Sequence, residues 1–311
     1  MQIHSAFRQA LPYFPAPLRQ ALSRIPAESA DKIQEIRLRI GRNLHITMQG
    51  TESALTKDGA LTAEPAEGIA VTRQIIDTMF QNLSAHSLHS VLGTVRQGFI
   101  TIAGGSRAGL CGTAVMQQTS IETVRAVSGI NLRIAAERVG CAETLIARLG
   151  GREQLAGLLI AGAPASGKTT ILRDIARILG SRYRVSLLDE RGELAAVTNG
   201  QPQFSVGVQT DVFDGYPKAQ AIEIAVRVMS PQYIICDEIG GGDETAAMLQ
   251  SLRTGTVFIA SAHAGSVEEL SRRPQIKALL QAGVFRNIVL LHQGLRCGEI
   301  AAVVPVRQGE A

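Results

Sequence analysis

The chain has 311 residues, too many for one ordinary domain and suited to two, and its 45% hydrophobic content is enough for a proper core. Its 31 Lys and Arg against 27 Asp and Glu leave a formal charge of +4, a surplus too small to mark a basic nucleic-acid tail. Four scattered cysteines fit no metal or redox spacing.

In chain order, the first residues lack the apolar core of a signal peptide, because Arg8, Pro12, Pro15 and Pro17 interrupt it. No apolar run approaches the roughly 20 residues that span a bilayer, so the expectation is a cytoplasmic protein able to dock onto a membrane through partners. Leu18 to Ile25 is a short amphipathic stretch. Ile36-Arg37-Leu38-Arg39-Ile40 alternates strictly and predicts a strand with one wet face, with His45 to Met48 as its partner. Val71, Ile75, Ile76, Met79, Phe80 and Leu83 fall on one helical face. Phe99 to Ile102 followed by Gly104-Gly105 predicts a hairpin arm and its turn, and 110–134 reads as short β-like runs. His86 and His89 have a metal-compatible spacing but no third ligand, and they read as ordinary polar positions, as do His4, His45 and His292. The first half, 1–138, is expected to be a small α+β domain.

A helix is predicted over Cys141 to Leu149, with Gly150-Gly151 as a boundary, so 139–155 reads as a linker. Beyond it the texture changes. Apolar strands Leu158–Ala161, Val185–Leu188, Tyr233–Cys236 and Val257–Ala260 alternate with helical stretches 169–179, 219–228 and 244–252. That alternation predicts an α/β domain over 156–311 with a mainly parallel sheet covered on both faces. Cys236, inside an apolar strand, is expected to be a small buried thiol.

Gly162-Ala163-Pro164-Ala165-Ser166-Gly167-Lys168-Thr169 matches the P-loop pattern in full, between an apolar strand and a helix. Glycines let the backbone wrap a phosphate with its N–H groups inward, and the helix start adds positive potential. Lys168 is expected on the β- and γ-phosphates of ATP and Thr169 on Mg²⁺, with Thr170 completing the binding stretch. The methyl of Ala165, inside this loop, is expected to need a negative φ.

Tyr233-Ile234-Ile235-Cys236 ends in Asp237-Glu238, which places two acids at the crevice where α/β sheets bind ligands. Asp237 is expected to hold Mg²⁺ directly or through water, and Glu238 to orient the attacking water. Ser186-Leu187-Leu188 ends in Asp189-Glu190, either of which could be the general base or bind the metal's water shell. Val257 to Ala262 ends at His263, whose alternatives are a structural histidine and a γ-phosphate sensor.

P-loop, Asp-Glu strand tip, second Asp-Glu tip and strand-end His resemble the Walker A, Asp box, Walker B and His box of the ATPases that drive type II and type IV secretion and pilus motors. Ile33 to Arg39, the Gly98-to-Gly112 stretch, Leu187 to Glu193, Thr210 to Ala219 and Met229 to Gly240 are similar to the family of stage III sporulation AA proteins of endospore-forming bacteria, from about residue 30 onward. The resemblance implies a RecA-like core and a ring, expected to be a hexamer. It also implies a mother-cell location at a channel to the forespore, with membrane-embedded products of the same sporulation operon as partners. Gln209, and the Gly241-Gly242-Asp243-Glu244 run, depart from the family by lacking basic residues near the site. By analogy Arg107 and Arg133 become candidates for a trans-acting arginine.

The expected reaction is Mg-dependent hydrolysis of ATP, in which positioning and charge neutralisation dominate. Two other function classes compete: a nucleic-acid-stimulated motor, disfavoured because no basic cluster interleaves with aromatics, and a nucleotide-gated assembly scaffold with little turnover.

Overall fold

The computed structural model describes residues 6–84, 95–96, 98–117, 119–152 and 155–306; His4, His86 and His89 lie outside the described residues. The chain forms two compact units, Met1–Ala136 and Glu137–Ala311.

The first unit begins with helices α1 (Ala6–Ala10), α2 (Ala16–Ser23) and α3 (Ala27–Ala30), and adds α4 (Arg73–Leu83). Its strands are β1 (Ile33–Arg39), β2 (His45–Met48), β3 (Thr51–Leu55), β4 (Leu61–Thr62), β5 (Phe99–Thr101), β6 (Arg107–Gln117) and β7 (Ser120–Arg133). They form one antiparallel sheet in the order β4-β3-β2-β1-β7-β6-β5. The alternation of β1 does what its pattern dictates: Ile36 and Leu38 enter the core with Phe14, Leu18, Leu22, Ile76 and Met79, while Arg39 faces out. Thr72 caps α4 by accepting from the Ile75 N–H.

The expected short runs over 110–134 are instead one long hairpin, β6 with β7. β1 reaches β7 only as far as Gly129, and β5 reaches β6 only to Gly109. The outer part therefore pairs with itself and shows water both faces, which erases the apolar alternation that marks a half-buried strand.

The second unit contains α5 (Glu143–Arg148), β8 (Leu158–Gly162), α6 (Lys168–Leu179), β9 (Val185–Asp189), β10 (Thr210–Asp214), α7 (Lys218–Ile224), β11 (Tyr233–Cys236), α8 (Gly242–Ser251), β12 (Val257–His263), α9 (Val267–Ser271), α10 (Pro274–Gln281), β13 (Asn287–Leu291) and β14 (Ile300–Pro305). The sheet order is β10-β9-β11-β12-β8-β13-β14, parallel throughout except for β14. Successive strand residues alternate between two cores. Leu159, Ala161, Ile234, Cys236 and Phe258 lie in one. Leu158, Ile160, Ile235 and Ile259 lie in the other, with Ile171, Leu172 and Ile175 of α6. Burial on both faces is why these strands read as continuous apolar runs.

Residues 140–146, read from the sequence as linker, are packed into this unit. Ala142, Leu145 and Ile146 join its core, and the Asp174 carboxylate of α6 accepts from the Gly140 and Ala142 N–H groups. Three strands of this unit, β10, β13 and β14, have no counterpart in the sequence reading. Of these, β10 is a polar edge strand that buries only Phe213, and β14 is a half-exposed edge.

The parallel register brings the strand tips level. Gly162 faces His263 across β8 and β12, and Cys236 faces Leu188 and Ala260. The P-loop, Asp189, Asp237-Glu238 and His263 therefore lie along one sheet edge.

Candidate nucleotide site

The loop from Gly162 to Gly167 owes its shape to local sterics. A Cβ on Gly162 would lie 2.3 Å from Ser166 Oγ, and Gly167 has φ of 96° as it opens α6. Ala165 corrects an expectation: its φ is 59°, in the left-handed region, although it carries a methyl. That conformation costs an L-residue about 1–2 kcal/mol, and a neighbouring segment holds it. Cys297 Sγ donates to the Ala165 carbonyl at 2.8 Å, and the Gly298 N–H donates to the Ser166 carbonyl at 2.9 Å.

Lys168 is 6% exposed and its ammonium is folded back on the loop, donating to the Gly162 and Ala163 carbonyls at 2.9 and 2.8 Å. It also approaches His263 Nδ1 at 3.1 Å. An ammonium only donates, so Nδ1 accepts and the imidazole proton sits on Nε2, from which it donates to Glu238 Oε1 at 2.7 Å. The other Glu238 oxygen pairs with Arg191. Lys168, His263, Glu238 and Arg191 thus form one continuous polar chain across the edge.

Burial pushes the Glu238 carboxyl upward, but the His263 hydrogen bond and the Arg191 charge outweigh it and hold it below the usual range. Burial lowers the Lys168 ammonium, with Glu238 opposing. The Glu238 backbone is itself unusual, with φ of 44°, and its N–H donates to Ser261 Oγ at 3.0 Å.

Asp237 differs in kind. It is 1% exposed, and neither carboxylate oxygen has a hydrogen-bond partner among the described residues. Burial pushes its carboxyl up to about 6, against the opposing charge of Lys218. A buried acid without partners is costly unless a cation meets it. Its hard oxygen donors suit Mg²⁺, as does the half-buried Thr169 in the first turn of α6.

A stability consequence follows. In metal-free protein the folded state keeps the Asp237 proton between the ordinary carboxyl value of 3.8 and about 6, where the unfolded chain has lost it. The stabilisation is complete below that window and is lost as pH rises through about 6, a penalty of up to about 3 kcal/mol. Asp237→Asn should therefore stabilise the metal-free protein at neutral pH and flatten the decline across that window. Urea midpoints in EDTA check this, and a lowered midpoint at neutral pH would contradict it.

Asp189 does not fit the role of base. Its Oδ1 accepts from the Glu193 and Leu194 N–H groups and its Oδ2 from those of Ala195 and Ala196. Four donors fill the lone pairs of a carboxylate, so Asp189 pins the loop after β9. Arg173 supports the same loop, donating to the Glu193 and Leu194 carbonyls and stacking 3.7 Å over the Phe204 ring. Glu190 is more open and lies 3.5 Å from Lys218. Arg107 stacks over Phe99 at 4.7 Å, and Arg133 lies 3.4 Å from Glu35, within the first unit.

Three contributors escaped the sequence reading. Lys218 is 5% exposed and donates to the Asp237 and Glu238 carbonyls at 2.9 Å each. Its sequence signals are a lone Lys after Pro217 at a helix start and a place in the family-like stretch Thr210 to Ala219, neither of which gives it a role. Arg173 is one basic residue among several in its helix. The Cys297-Gly298 contact joins segments too distant for any spacing rule.

The family model of sporulation stage III, protein AA matches residues 8–310. Stage III sporulation protein AA of Bacillus subtilis (strain 168) is 33% identical over 295 residues, covering 93% of this chain and 92% of that protein. Among solved structures, the pilus retraction motor PilT with bound ADP matches with a TM-score of 0.58 at 13% identity, over 91% of this chain and 82% of that one. The Legionella pneumophila ATPase DotB matches at 0.52 and 14% identity, over 83% and 72%. The fold is that of the RecA-like secretion ATPases, a smaller α+β unit preceding an α/β core. With nearly its whole length matched, the chain belongs to the sporulation stage III, protein AA family.

Proposed function

We propose that the chain binds ATP with Mg²⁺ and hydrolyses its β–γ bond as a subunit of a ring, a hexamer, that energises assembly of or transport through a channel between mother cell and forespore. The observation that carries the chemistry is Asp237, a buried carboxylate whose oxygens have no partner among the described residues, on the same sheet edge as a complete P-loop. Thr169 and Asp237 are the residues that would hold the metal. When bound, the ion neutralises charge on the phosphates.

In the mechanism, the loop N–H groups of Ala163 and of Ala165 to Thr170 cradle the phosphates, and the γ-phosphate draws the Lys168 ammonium off the Gly162 and Ala163 carbonyls. Glu238, ionised and aimed by His263, orients a water and accepts its proton as the water oxygen bonds to the γ-phosphorus and the bridging bond to ADP breaks. Release of Lys168 from His263 Nδ1 makes His263 the reporter of the γ-phosphate. Glu190 stays in the outer ring of acids, within reach of waters around the metal. Among the described residues no helix is long and apolar enough to cross a membrane. The channel is thus reached through membrane-embedded partners from the same operon, from the mother-cell cytoplasm.

Titration calorimetry tests this reading. ATP and ADP should bind with magnesium, and ATP should bind more weakly in EDTA. If neither nucleotide associates in the presence of magnesium, the assignment is wrong.

A further inference from the structure

Glu238 works only if its carboxylate points at the phosphate edge, and its backbone is in a conformation that a residue with a side chain avoids, φ of 44°. The left-handed turn reverses the carbonyl of Glu238 relative to an extended strand, so that the carbonyls of Asp237 and Glu238 converge. At the point of convergence lies the Lys218 ammonium, 2.9 Å from each oxygen. Two converging carbonyl dipoles repel unless a cation sits between them. The same ammonium lies 3.5 Å from the Glu190 carboxylate and 3.6 Å from that of Glu244 at the start of α8.

Its location is otherwise unfavourable. Lys218 is nearly sealed from water and stands in the first helical turn of α7, where the backbone N–H groups already present positive potential. A lysine kept there must be offset by what it holds. It ties together the ends of β9 and β11 and the starts of α7 and α8, all of which border the site.

We propose that Lys218 is a positioning residue for hydrolysis, a buried cation that locks the Asp237-Glu238 corner so that Glu238 faces His263 and the attacking water. The inference rests on the reading of Glu238 as the water-orienting acid.

The test is Lys218→Met, which keeps the length of the side chain and removes its charge. The P-loop contacts are untouched, so KM for ATP should stay within about threefold of the parent, while kcat should fall by at least about thirtyfold. A crystal structure of the nucleotide-free variant should show Glu238 out of the left-handed region and its carboxylate off His263. Either a Glu238 retained at positive φ on His263, or a kcat within threefold of the parent, overturns the proposal. If the parent itself turns over no ATP, the ATPase reading fails and the crystal structure alone decides the role of Lys218. Should Lys218→Met not fold, Lys218→Met with Glu244→Gln, which removes a partly exposed acid along with the ammonium, takes its place under the same criteria.

Discussion

Lys168→Ala is expected to lower ATP turnover by about a hundred- to a thousandfold while leaving the fold in place. The ammonium is the only lysine among the described residues that bonds to the phosphate loop, and its replacement removes a charge aimed at developing negative charge in a partly dry site. Losing one such donor is worth roughly 3–4 kcal/mol in the transition state. The structural cost is smaller, because Lys168 serves the nucleotide-free protein only through the Gly162 and Ala163 carbonyls and His263. Phosphate release assays paired with thermal melts separate the two effects. Turnover at the parental rate in a folded variant would refute the site.

Glu238→Gln should also be severe, by about a hundred- to ten-thousandfold in kcat, with ATP still bound. Glutamine has nearly the same shape and its amide oxygen can still accept from His263 Nε2, so the geometry should persist. What is lost is a carboxylate that the His263 hydrogen bond and Arg191 hold ionised against the upward push of burial. The Arg191 pair is more than half exposed on the arginine side, so its removal should change stability by less than about 1 kcal/mol. Single-turnover kinetics with trapped ATP would display the effect. A variant that releases ADP as fast as the parent would move the role of base elsewhere.

The parts of the site that local chemistry marks were legible in the sequence. The P-loop has a pattern and a context, and Asp237-Glu238 and His263 are marked by the apolar runs that precede them. The β9 tip was legible as a position but not as a role. Spacing shows that Asp189 ends a strand, but only the path of residues 193–196 shows its oxygens already filled. Lys218 was illegible because the acids it meets come from three other segments. Ala165 was misjudged because the rule that glycine favours positive φ is a statement about cost, and a contact from Cys297 can offset that cost. In the fold, four strands buried on both faces announced themselves, whereas β13, with Ile288 and Val289 in opposite cores, was missed. The edge strands β10 and β14 and the outer part of the long hairpin did not; in the hairpin, water on both faces leaves no alternation to find.

The order of the second sheet also bears on how the molecule is made. β8, which delivers the phosphate loop, leaves the ribosome before any other strand of its sheet, yet its two neighbours are β12 and β13, among the last. During synthesis the loop must wait unsupported until residues 257–263 and 287–291 emerge and flank it, and the Cys297-Gly298 brace arrives later still. Pairings so distant along the chain are slow to form. Completion of the phosphate loop's surroundings is thus a late event in the life of each nascent chain, and incomplete chains carry the motif without its flanking strands.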